Sequence, residues 1–227
     1  QPPPPPSLPA TTGRFKHSKI NNLLRSIGHT CQEKGEYIKP WGKDAVVVEV
    51  GPDNGVEILL FKEGKKVYSF EPTQAKEPII REMIKKGNME AMTELIMKAA
   101  SDTNEDQLMW IDGETDRGNG HGMVAGTEQD TVGVPPPWIS EENFKKNGVK
   151  IPSVRLDTPG LIKEHVHLLK IDTQGHEYQV LKGAEGLLKG ENPIDIIHME
   201  FSPGLLRQQG TDPGELLEYI TSFGYIC

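Results

Sequence analysis

The feature that most constrains this chain is a β-branched run that stops on a glycine turn. Ala45-Val46-Val47-Val48-Glu49-Val50 is followed at once by Gly51-Pro52-Asp53-Asn54-Gly55. A run so rich in valine suits a strand covered on both faces, and such strands belong to parallel sheets flanked by helices. A short apolar segment, Val56 to Phe61, leads to a second strand candidate, Lys66-Val67-Tyr68-Ser69-Phe70, which ends in Glu71-Pro72. The order is strand, helix, strand.

The rest of the chain repeats that alternation. A helix is expected from Lys76 to Lys86, then a further helical stretch to Ala99, with a turn at Ser101-Asp102. Leu108 to Ile111 suits a short strand, whereas Asp112 to Pro137 is rich in glycine and polar residues and fits no regular element. Val154 to Asp157 and His167 to Asp172 are strand candidates. Gly175 to Leu188 carries Tyr178, Leu181, Ala184, Leu187 and Leu188 along one helical stripe. Ile194 to Phe201 reads as a buried strand and Pro213 to Phe223 as a closing helix. Strands alternating with helices predict an α/β fold, a doubly wound, mostly parallel sheet with helices on both faces.

At the other end, five consecutive prolines within residues 1–12 favour an extended stretch that cannot join a core. Ile20, Leu23, Leu24 and Ile27 have helical spacing within Lys19 to Cys31, and Gly28 would end that helix. The expected organisation is a Pro-rich linker or stem over residues 1–18 and a single domain over 19–227.

In doubly wound sheets ligands sit beyond the carboxyl ends of the strands, which is where this sequence puts its glycines and acids. Glu71 lies 20 residues beyond Gly51, at the end of the next strand, where an acid can accept from two ribose hydroxyls. A dinucleotide site would want a glycine where Asp53 stands, so that pyrophosphate could approach the backbone. A carboxylate there repels pyrophosphate and suits a cofactor with a sulfonium and an amino group, so the turn favours S-adenosylmethionine over NAD.

These residues resemble the FkbM methyltransferase family. The resemblance runs through Val48 to Gly55, Tyr68 to Pro72, Ala99-Ala100-Ser101-Asp102, Leu156-Asp157, Leu169 to Glu177 with Val180 to Ala184, and His198-Met199-Glu200. The blocks keep the family's order from about residue 45 to the C terminus. The resemblance implies a class I, Rossmann-like methyltransferase fold that binds S-adenosyl-L-methionine. It implies that Glu49, Gly51, Asp53, Asn54 and Gly55 form the cofactor turn, that Glu71 and Pro72 face the ribose, and that Ser101 and Asp102 lie near the adenine. It also implies an acceptor oxygen on a sugar or other small natural product. Three departures from the family's pattern stand out: Glu49 for Asp, Pro52-Asp53 for Ala-Asn, and Gln174 for Glu. The chain also stops at Gly224-Tyr225-Ile226-Cys227, where the family would begin a final strand hairpin, so the domain is either trimmed or lacks its last strands.

Methyl transfer from a sulfonium is a direct displacement, served by alignment and by a group that takes the hydroxyl proton. Asp172, at the end of a buried strand, is the best placed carboxylate; capping the next helix is its competing role. Glu200, near the end of a later strand, and His176, in the first turn of the helix after Asp172, are the other candidate catalytic residues. Glu177 suits the helix dipole and His198 a satisfied core position. His165 and His167 share a strand face, but two histidines without a third ligand do not make a metal site, and no metal is expected.

Composition narrows the partners. A net charge of −8 argues against nucleic acid. No apolar run approaches the roughly 20 residues of a membrane span, so no membrane contact is expected. Cys31 and Cys227 stand near opposite ends without metal-ligand spacing, and neither a zinc site nor a disulfide framework is readable. The acceptor is expected to be a small molecule or glycan. Few cysteines and no glycosylation sequon suit the cytoplasm, while a Pro-rich stem suits a secretory-pathway lumen, and both stay open. The rival readings are an NAD-type oxidoreductase and a non-catalytic binding protein on the same fold.

Overall fold

The computed structural model describes residues 30–33, 43–110, 131–135 and 139–227. The Pro-rich stem, the helix expected before Gly28 and most of the glycine-rich segment lie outside the described residues. A seven-stranded sheet runs in the order β12 (Tyr225–Ile226), β1 (Thr30–Glu33), β11 (Ile196–Met199), β10 (Leu168–Ile171), β2 (Val46–Val50), β3 (Lys66–Phe70), β4 (Thr93–Ile96). The five strands from β11 to β4 are parallel. Strand β1 pairs antiparallel with both β11 and β12. The predicted doubly wound sheet is therefore present.

All five residues of β2 are buried, and alternation sends them to two cores. Val46, Val48 and Val50 pack with Phe70, Ile171, Val180 and Leu206. Val47 joins Ile58, Phe61, Val67, Ile80 and Leu168 on the other face. That two-sided burial is what the valine run encodes.

Helix α1 (Glu77–Lys86) matches its expectation, but the helical stretch expected up to Ala99 is instead β4 and the short β5 (Ala99–Ala100). Asn88, in a left-handed conformation at φ 53°, turns the chain after α1 so that Thr93 to Ile96 can pair with β3. The segment after the Gly51–Gly55 turn is a 3-10 helix, Glu57–Phe61. A smaller sheet orders β7 (Thr131–Val132), β6 (Gln107–Trp110) and β8 (Val149–Ile151), so a strand does form at the end of the glycine-rich segment. Helix α2 (Glu141–Asn147), capped by the Ser140 hydroxyl, precedes β8, and β9 (Ser153–Val154) pairs with β5.

The helix expected over Gly175 to Leu188 is two, α3 (Glu177–Gly183) and α4 (Glu185–Lys189), joined at Ala184. Gly183 lies so close to Ser101 that a Cβ there would sit 1.9 Å from the Ser101 carbonyl oxygen. Helices α5 (Pro203–Gln208) and α6 (Pro213–Ser222) follow β11. The chain closes with β12, a strand the sequence reading did not assign. Cys227 is disulfide-bonded, and the sequence holds one other cysteine, Cys31. The β1–β12 register, Gln32 opposite Ile226, continues to set Cys31 opposite Cys227 along the backbone. That backbone alignment was invisible to spacing because strand pairing, not sequence separation, brings the two positions together.

Candidate active site

A cleft of about 270 Å³ opens beyond the carboxyl ends of β2, β3 and β10. Gly51 and Asp53 form one wall, Glu71 and Pro72 a second, and Asp172, Gln174 and His176 a third. Ala99, Ala100, Met109 and Val132 give the cleft an apolar end.

Gly51 turns at φ +77°, and its N–H donates to the Phe70 carbonyl at 3.0 Å. A Cβ at this position would lie 1.9 Å from the Asp172 carbonyl oxygen, so the turn after β2 packs directly on the end of β10. Gly55, at φ +75°, closes the turn with a hydrogen bond to Pro52. Asn54 accepts from the Val56 N–H and shapes the turn without lining the cleft.

Asp53 pairs with Lys76 at 2.9 Å, and Lys76 is itself a buried lining residue. Glu71 is 3% exposed, and its Oε1 accepts from the Thr73 N–H at 2.8 Å. Burial raises its pKa against the opposing pull of Lys76. The sequence reading missed Lys76 as a site residue; its only signal was a cation five residues beyond Glu71.

Glu49 does not line the cleft. It lies under the turn, fully buried, accepting from the Ser69 hydroxyl at 3.2 Å and opposite Lys170 in register. Burial pushes its pKa up to about 7, with Lys170 working in the opposite direction.

Ser101 and Asp102 stand behind the cleft wall rather than in it. Asp102 pairs with Lys182 of α3 at 2.8 Å; burial alone would raise its pKa, but the Lys182 ammonium outweighs it and holds the carboxyl low. The Ser101 hydroxyl lies 3.0 Å from Nε2 of His176. Arg155 braces this corner, gripping Asp157 with two nitrogens and donating to the Asp102 and Lys182 carbonyls.

The loop after β10 is tied down by Glu177, whose Oε1 accepts from Thr173 N, Thr173 Oγ1 and Gly175 N, each at 3.1 Å. The Asp172 side chain is 41% exposed and caps no helix; Oδ1 accepts from Gln174 and Oδ2 lies 3.8 Å from Lys170. Glu200 meets the same Gln174 amide at 3.1 Å. His176 is buried, which drives its pKa down to about 4, so the ring is neutral at physiological pH. The structure thus gathers Asp172, Glu200 and His176 around one loop, while His198 is buried in β11 opposite Lys170.

His165 and His167 find a third potential ligand in Asp195, which the sequence reading did not foresee. His165 Nε2 lies 2.9 Å from Asp195, but His167 Nδ1 accepts from the Val46 N–H at 3.1 Å. That bond puts the ring proton of neutral His167 on Nε2, the nitrogen a metal would need. The cluster also lies at the amino ends of the strands, away from the cleft.

The profile of the methyltransferase FkbM domain matches residues 50–227. The chain belongs to the FkbM methyltransferase family. Among solved structures, this FkbM domain is similar to a methyltransferase FkbM from Methylobacillus flagellatus, at 13% identity and a TM-score of 0.52. The match covers 82% of this chain and 39% of that one, so the chain spans about two fifths of the solved relative's length. An rRNA methylase from Streptococcus thermophilus matches at 13% identity and a TM-score of 0.35, over 65% of this chain and 55% of that one. No curated protein matches. The fold likeness extends the profile's reach to the architecture of the sheet.

Proposed function

We propose that this FkbM domain binds S-adenosyl-L-methionine in the cleft and transfers its methyl group to a hydroxyl oxygen of a sugar or small natural product by direct displacement. The observation that carries the reading is one cleft joining a glycine turn, a buried ribose-type acid, an apolar end and an exposed carboxylate. The residues fit the cofactor. The Gly51 turn, packed on the end of β10, gives the cleft a wall without a side chain, Glu71 offers buried carboxylate oxygens to vicinal hydroxyls, and Met109 and Val132 offer apolar walls to a flat base. When bound, the cofactor supplies an electrophilic methyl on a sulfonium.

The chain's own task is alignment and proton removal. Asp172, exposed at the cleft and held on Oδ1, takes the hydroxyl proton. Glu200, joined to it through Gln174, contributes a second acceptor for the substrate's hydroxyls. His176, kept neutral, serves as a wall and a support for Ser101 rather than as the base, because a group with pKa about 4 accepts protons poorly at neutral pH.

One observation lends weight to the NAD-type reading: Lys76 offsets the Asp53 charge that would repel pyrophosphate. Calorimetry with S-adenosylhomocysteine and NAD side by side separates the two. Binding of S-adenosylhomocysteine without NAD supports the proposal, and the reverse result overturns it. Labelled-methyl transfer to a panel of glycans and hydroxylated metabolites then identifies the acceptor, and cofactor binding with no transfer to any of them favours a binding protein.

A further inference from the structure

Gln174 lines the cleft with its backbone at φ 55°, a left-handed conformation that a non-glycine residue keeps only when its surroundings enforce it. They do enforce it. Glu177 holds the residues on both sides, and Gly175, at φ 102°, packs so tightly that a Cβ would lie 2.5 Å from the Leu205 carbonyl oxygen. In this conformation Gln174 Nε2 lies 3.1 Å from Asp172 Oδ1 and 3.1 Å from Glu200 Oε2. Ionised carboxylates only accept, and a primary amide carries two hydrogens on one nitrogen, so one hydrogen serves each acid.

Oxygen ligands sit about 2.0–2.6 Å from a divalent cation. A nitrogen 3.1 Å from both carboxylates therefore stands in the gap that a shared cation would need. We propose that Gln174 is a positioning residue of the acceptor site: its amide takes the place of a divalent cation between Asp172 and Glu200 and fixes both carboxylates as hydrogen-bond acceptors for the substrate. This rests on the reading that the acceptor enters beside Asp172. The strained loop is what aims the amide, and the amide is what joins the ends of β10 and β11 into one acceptor surface.

The test is titration of Mn²⁺, followed by the electron paramagnetic resonance signal of the free ion, against the wild-type chain, Gln174→Glu and the double variant Gln174→Glu/Glu200→Gln. Gln174→Glu is expected to bind Mn²⁺ at least tenfold more tightly than wild type, and Glu200→Gln to remove the gain. Wild-type binding as tight as that of Gln174→Glu overturns the proposal, as does a gain that survives Glu200→Gln. Gln174→Ala, titrated alongside, removes the amide without adding charge, and an unchanged Mn²⁺ affinity in it sinks the idea whatever Gln174→Glu does. In Gln174→Ala, which adds no carboxylate, a merely structural glutamine would lower the melting temperature and leave Mn²⁺ affinity where it was, whereas an amide that holds a cation out gives a rise. S-adenosylhomocysteine affinity, measured on the same samples, reports separately on the cofactor reading.

Discussion

The ammonium of Lys76 sits 2.9 Å from the carboxylate of Asp53, so the acid that turns the chain beyond β2 is not a bare charge. Asp53 therefore repels phosphate and attracts a sulfonium less than its charge alone would, and the cleft's choice of ligand charge becomes a balance between these two side chains and Glu71.

Lys76→Met tests that balance. S-adenosylmethionine and S-adenosylhomocysteine differ by one positive charge, so removing a cation from the wall should favour the former by roughly 1 kcal/mol, a several-fold change in the affinity ratio. Calorimetry with both ligands reads the ratio and cancels effects common to them. A ratio that does not move places Lys76 outside the sulfonium's field.

Glu71→Ala should weaken S-adenosylhomocysteine by about 1.5–3 kcal/mol, the scale of charge-assisted hydrogen bonds to ribose. Because burial raises the Glu71 pKa, its carboxylate is lost at a higher pH than an ordinary glutamate's. Wild-type affinity should therefore fall on acidification and the variant's should stay flatter. Unchanged affinity in a folded variant removes Glu71 from the site.

Asp172→Asn keeps the side chain's shape and removes its charge. Methyl transfer to a verified acceptor should fall by about 10²-fold or more, the usual scale for a lost general base, with cofactor affinity nearly intact. Near-wild-type turnover would move the proton acceptor to Glu200. Collapse of cofactor affinity would instead assign Asp172 to the cofactor pocket.

Glu49 carries a pH dependence of stability. Its pKa rises from 4.5 in the unfolded chain to about 7 in the fold, so the folded state holds that proton more tightly. The resulting stabilisation is complete below pH 4.5 and is lost as pH rises through about 7. Glu49→Gln should remove this trend, making the variant as stable as wild type or more so at pH 8, with a difference of up to roughly 3 kcal/mol between pH 4 and pH 8. Urea denaturation at the two pH values measures it; a wild-type curve as flat as the variant's contradicts it.

The parallel sheet was legible because Val46 to Val50, with valine on both faces and Glu49 as its single polar residue, has no solvent side and is buried between two layers. The cleft's position followed from the Gly51 turn and Glu71 by the same logic. Lys76, Gln174 and the Cys31–Cys227 alignment were not legible as contacts, since each depends on a loop or strand pairing that sequence separation does not encode. Strand β4 was misread because Thr93 to Ile96 is only partly buried at the sheet edge, where periodicity is weak. Ser101 and Asp102 matched a motif, but Gly183 and Lys182 draw them against α3 and out of the cleft wall.

Lys170 stands among three acids with one charge to share. It is 3% exposed, pairs with Glu57, lies 3.8 Å from Asp172 and faces Glu49 from the neighbouring strand. Burial alone would lower its pKa, yet the three carboxylates together raise it, so the ammonium persists. A proton taken up by Glu49 leaves more of that ammonium's field for Glu57 and Asp172. Proton uptake by Glu49 on the floor of the sheet and the electrostatic hold on the aspartate at the cleft are thus coupled through one buried ammonium.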